Sequence, residues 1–108
     1  MKIELNEITL KYSLLRVVEL AKGAVSGLNI DNTDDAKKVL TVLANLDKIE
    51  EELKDDITYF RNCHTFASFA YSLMTSVNVH PLETLKLQTA TVILDALKTA
   101  FESRVECM

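Results

Sequence analysis

From Leu10 to Leu28 apolar side chains recur at alternating steps of four and three: Leu10, Leu14, Val17, Ala21, Ala24 and Leu28. On a helix that spacing collects them on one face, which Leu15, Val18 and Val25 widen, while Arg16, Glu19, Lys22 and Ser26 lie mainly away from it. A first helix is therefore predicted from about Asn6 or Ile8 to Ser26. Ile3, Leu5, Ile8, Leu10 and Tyr12 also alternate in the manner of a strand, but no second run in the chain could pair with them.

Gly27 to Thr33 reads as a connection. Gly27 can stop the first helix, and Asn32 or Thr33 can cap the next through a side-chain oxygen. Asp34 and Asp35 then suit the positive end of that helix. Its stripe is Val39, Val42, Leu43, Leu46, Ile49 and Leu53, and at 100° per residue the stripe runs on in phase through Ile57, Phe60, Ala67, Tyr71 and Met74. Two architectures satisfy this continuity. A turn hidden in Lys54 to Asp56, with Asp55 or Asp56 capping a third helix, gives an all-α antiparallel bundle of four helices. An unbroken helix over about 34–77, roughly 65 Å long, gives three. The four-helix bundle is preferred, because helices of about twenty residues match in length and close a core within one chain.

The last helix starts after Asn78, Val79, His80 and Pro81, proline being suited to a first turn. Leu85, Ala90, Ile93, Leu94, Leu97, Ala100 and Phe101 form its apolar face, and Thr84, Gln88, Thr91, Asp95, Lys98 and Glu102 its wet one. No repeat or linker interrupts the 108 residues, so residues 1–108 are read as one domain.

Composition sharpens this picture. Apolar residues make up 48% of the chain, a high share for a small domain, so some apolar surface is expected to face another molecule. The formal charge is −4, with Lys and Arg spread thinly, and no basic patch could neutralise a run of phosphates; nucleic-acid binding is disfavoured. The 21 uncharged residues from Asn62 to Leu82 include Asn62, His64, Asn78, His80, Pro81 and several Ser and Thr, too polar for a membrane span. Glu4 and Glu7 stand where a signal peptide would need other residues, and with two cysteines a cytoplasmic location with reduced thiols is expected.

The segment Ile57 to Val77 is apolar over more than half its circumference. Beside the main stripe it carries a second flank, Tyr59, Phe66, Phe69 and Leu73, and a strip of small polar residues. A helix of that kind is either the most buried of its bundle or touches a partner. Six acids between Asp47 and Asp56 face only Lys48 and Lys54. Asp47, Glu51 and Asp55 could form a landing surface for a basic partner, or simply a solvated helix face. The pairs Glu51 with Asp55 and Glu52 with Asp56 have same-face spacing but too few ligands for a metal.

Cys63, His64, His80 and Cys107 lack the paired spacings of a zinc site, and Cys63 and His64 diverge by 100° on a helix, which spoils them as nucleophile and base. No phosphate loop, serine elbow or zinc-protease motif occurs. Arg61, Asn62 and His64 resemble the arginine, asparagine and histidine of HEPN-type helical ribonucleases. That family separates the histidine by a longer spacer, whereas Cys63 alone intervenes here, so no residue is carried over. The resemblance would imply a nucleic-acid-processing or toxin–antitoxin-type protein with Arg61 and His64 facing one cleft. A small-ligand binder would instead need a cavity between helices, such as one lined by Tyr12, Tyr71 and Met74.

The expectation is therefore a non-catalytic protein-binding module without metal or cofactor, a homodimer, acting as an accessory regulator or inhibitor of a larger protein. Tyr59, Phe66, Phe69 and Leu73, with Asp47, Glu51 and Asp55, are its expected contact residues.

Overall fold

The computed structural model describes the backbone of residues 2–106 and the side chains of residues 8–105; Cys107 lies outside them. Four helices pack against one another, and no strand occurs among the described residues: α1 Lys2–Ser26, α2 Thr33–Lys54, α3 Phe60–Thr75 and α4 Thr84–Glu106, the last entered through a 3-10 turn at Pro81–Glu83. Helix α1 starts several residues earlier than its apolar stripe does. The long-helix alternative is excluded by the break between Lys54 and Phe60.

Local chemistry explains most boundaries. Asn32 Oδ1 accepts from the N–H groups of Asp34 at 2.8 Å and Asp35 at 3.2 Å, satisfying two donors that the first turn of α2 leaves open. Helix α3 ends where Ser76 N–H and Oγ both donate to Leu73 O, and Pro81 opens the 3-10 turn while His80 Nδ1 accepts from Leu82 N–H. The break after Lys54 has a different origin. Asp55 is extended and ends α2 rather than capping α3, whose first residue follows Tyr59 with no side-chain cap. The turn is held from outside: Lys11 Nζ of α1 donates to the carbonyls of Asp55 and Asp56, and Glu52 accepts from Thr58 Oγ1 through its carbonyl and from Tyr59 N–H through its carboxylate.

Each helix contacts the next, and α1 contacts α4, so the four form a square ring about 50 Å long and 21 by 19 Å across. The backbones of the diagonal pairs do not approach closely. Leu14, Val18, Ala21 and Val25 of α1 meet Val42, Leu46, Ile49 and Leu53 of α2, Cys63, Ala67, Ala70 and Met74 of α3, and Ala90, Leu94, Leu97 and Phe101 of α4. Alanines at the centre of α3 and α4 let those backbones approach closely. Val18 and Val25, expected only to widen the α1 face, lie at its centre, and Ile57, expected to continue the α2 stripe, is exposed in the turn. Leu85, assigned to the apolar face of α4, is 75% exposed, and the acid two residues before it, Glu83, is buried in its place.

Glycine does not shape the turns here. Neither Gly23 nor Gly27 has a positive φ, so α1 ends without the left-handed residue that Gly27 could have supplied.

Candidate functional site

Helix α3 points Cys63, Ala67, Ala70 and Met74 inward. At 100° per residue its opposite side carries Thr65, Phe69 and Ser72, with Arg61 as the helix's one cation. Phe69 is 52% exposed there, a large ring among small uncharged side chains. Tyr59, at the entry to α3, is 59% exposed. Phe66 and Leu73 turn toward α2 and are half-buried against the core, and Lys48 of α2 lays its ammonium 5.5 Å from the Phe66 ring centre. The expected aromatic flank thus divides. Tyr59 and Phe69 are open, while Phe66 and Leu73 form the floor beside them.

The acids divide as well. Lys22 of α1 bridges Asp47 and Glu50, and Glu50 is also bound by Lys54 at 3.0 Å. The bonds to Asp47 first and Glu50 second raise the Lys22 pKa, and the bonds from Lys22 and then Lys54 lower that of Glu50. Asp47 is therefore engaged within the fold. Glu51 and Asp55 are exposed, and no cation lies within salt-bridge distance of either carboxylate among the described residues. Asp56 falls beyond the end of α2, so the helical Glu52–Asp56 spacing is not realised.

Cys63 is fully buried, and burial first, then the charge of Glu52, pushes its thiol up to about 12, which leaves almost no reactive thiolate at neutral pH. His64 sits half-buried with Nε2 3.4 Å from Ser68 Oγ, while Arg61, one turn earlier, is exposed. Tyr12, Tyr71 and Met74 do not line one cavity: Tyr12 is exposed on α1, Tyr71 lies under Lys98 of α4, and α1 and α3 are diagonal. Among the described residues no three His, Cys, Asp or Glu side chains are grouped to hold a metal ion, and no helix is long and apolar enough to cross a membrane.

Sequence reasoning missed the opposite side of the ring. The faces of α1 and α4 that share one side carry Leu20, 63% exposed, with Gly23, Ala24 and Gly27, and Leu85, 75% exposed, with Thr89, while Val92 lines the groove between α3 and α4 with Met74 and Thr75. Gly23, Ala24, Gly27, Leu85, Lys86 and Thr89 line one groove of about 380 Å³. A Cβ added at Gly23 would meet nothing within 4 Å. A mid-helix glycine costs roughly 1 kcal/mol relative to alanine, and here neither backbone conformation nor packing within the chain calls for it. The pair at 23 and 27 was legible only as the end of a helix, because its significance depends on what stands beside it on α4.

In comparison with known proteins, the chain matches no family model, no curated protein and no solved structure.

Proposed function

We propose that this chain is a non-catalytic interaction module that works as a homodimer and regulates or inhibits a larger protein by binding it through the α2–α3 face. The observation that carries the reading is Phe69, a large aromatic ring on the outer side of α3 that stays 52% exposed. Isolated exposed apolar residues are common on any protein. This one stands on the helix that Tyr59 precedes, next to the half-buried Phe66 and Leu73, and Glu51 and Asp55 are exposed toward the far end of the neighbouring α2. Aromatic anchors with an acidic rim suit a partner surface that is apolar at its centre and basic at its edge.

The test uses the full chain immobilised as wild type and as Phe69→Glu. Because Phe69 faces solvent, the variant keeps its helical circular dichroism. Wild type retains a protein from native lysate that the variant loses by at least about tenfold, as expected for an anchor residue, and raised salt weakens the capture. Equal capture by both chains contradicts the assignment of the face.

A further inference from the structure

We infer that this chain self-associates by exchange: the turn between α2 and α3 straightens, the two helices become one, and the α3–α4 half of each copy packs on the α1–α2 half of the other. The inference rests on the reading of the chain as a homodimer and says which segments its two copies share.

The α2–α3 turn is unlike the other two connections. Gly27 stands in the one between α1 and α2 and Pro81 ends the one between α3 and α4, whereas residues 55–59 hold neither glycine nor proline. Helix α3 begins without a side-chain cap, so the open N–H groups of its first turn would gain carbonyl partners if α2 ran on into it. The core also keeps one register across the gap. The buried apolar residues of α2 alternate steps of three and four up to Ile49 and Leu53, and those of α3 resume the same alternation from the half-buried Phe60 through Cys63, with Asp56 at the one position between. Two helices of a hairpin meet the core independently and have no need of a shared heptad. A single supercoiled helix requires it.

Exchange preserves the contacts that the closed chain makes. Lys48 stands over the Phe66 ring and Lys38 Nζ donates to Ser76 O at 3.3 Å, and both pairs are centred on Ile57 in the middle of the turn. Two straight helices related by a two-fold axis at Ile57 run antiparallel and set these pairs between copies as the hairpin sets them within one. The surface that each half meets is therefore the chain's own interior, α2 on α3 and α1 on α4. That complementarity already exists, and it names a second copy rather than a foreign protein as the occupant.

What keeps the single chain closed is local. Lys11 Nζ donates to the carbonyls of Asp55 at 3.0 Å and Asp56 at 3.4 Å, which a continuous helix would turn to its own N–H groups. Straightening would also bring Asp56 into the core, where an acid is costly. Against this, Ile57, 67% exposed in the turn, would move to the edge of the apolar stripe.

Sedimentation equilibrium and spin-label distances on the full chain test the exchange together. Wild type, warmed and recooled at high concentration, is expected to be dimeric. Lys11→Met and Asp56→Leu, each removing something that favours the turn, strengthen dimerisation by about tenfold or more. Asp56→Gly combined with Ile57→Gly, which burdens only the continuous helix, weakens it by as much. In a chain carrying Cys107→Ser, whose Cys63 is too buried to label, spin labels attached through Thr41→Cys and Ser72→Cys lie level across the closed hairpin, inside the 21 by 19 Å cross-section. In the exchanged dimer, annealed with an excess of unlabelled chain, they stand roughly 47 Å apart by the helical rise. A dimer that keeps the short distance overturns the exchange and leaves the homodimer reading intact. A monomeric wild type overturns both.

Discussion

Glu83 is a buried acid two residues before Leu85, which the pattern of the chain placed on the apolar face and which is exposed instead. Its carboxylate accepts from Asn29 N–H at 3.2 Å and faces Lys86 Nζ at 3.2 Å, so it ties the α1–α2 connection to the start of α4. The bond from Lys86 first, and that from Asn29 after it, hold its pKa below the ordinary value of 4.5 against the opposing effect of burial. A carboxyl depressed in the folded state contributes stability above its unfolded pKa and loses it as the pH falls through the folded one. Glu83→Gln is therefore expected to lower Tm at neutral pH while flattening the acid side of the Tm profile relative to wild type; parallel profiles would mean that the charge is not what matters at this site. Lys22 has the opposite sign. Its raised pKa means that its contribution is complete through neutral pH and declines only in strong alkali, above 10.5.

Elements in this chain begin and end for two kinds of reason, and only one of them can be read from the chain locally. Asn32 caps α2 through its own side chain, and Asn32→Ala should cost about 1 kcal/mol, while Asn32→Asp, which keeps the acceptor, should restore most of it. Urea unfolding of the three proteins checks this, and an unaltered midpoint in the alanine variant would show the cap to be idle. Pro81 and the stripe of α2 were legible in the same way. The break after Lys54 was not, since the residues that hold it, Lys11 and Glu52, come from α1 and from within α2, and the apolar stripe continues in phase across the gap. Leu85 was misassigned for a reason the chain itself displays, since at 100° per residue it stands about 140° from Ala90 and so off the face shared by Ala90, Leu94, Leu97 and Phe101. Of the candidate surface, Tyr59 and Phe69 could be found as aromatics off the main stripe. That Phe66 and Leu73 would turn to α2, and that Asp47 would be taken by Lys22, depended on neighbours distant in sequence.

At the scale of the whole molecule, charge and apolar surface are sorted onto different sides. Between Asn62 and Leu94 the only Asp, Glu, Lys or Arg are Glu83 and Lys86, which bind each other. The exposed carboxylates of Glu51 and Asp55 stand on α2 and at its C-terminal end. The result is a nearly uncharged flank along α3 and the first half of α4, set beside the exposed carboxylates of Glu51 and Asp55.

The square ring has a consequence for how the chain assembles. Three of its four seams join helices that follow one another, and short connections make those contacts entropically cheap to form; α1 against α4 alone must bring together distant segments. Truncating Val17 or Ile93, both half-buried on the facing sides of α1 and α4, should accordingly quicken unfolding and leave the refolding rate nearly untouched, whereas Leu46→Ala in α2 should slow refolding. Stopped-flow kinetics would register the contrast, and equal effects on both limbs would show a nucleus spread over all four helices. A molecule in which that seam alone is open keeps its other three helix contacts, and Val17 and Ile93 would then be bared together along one side.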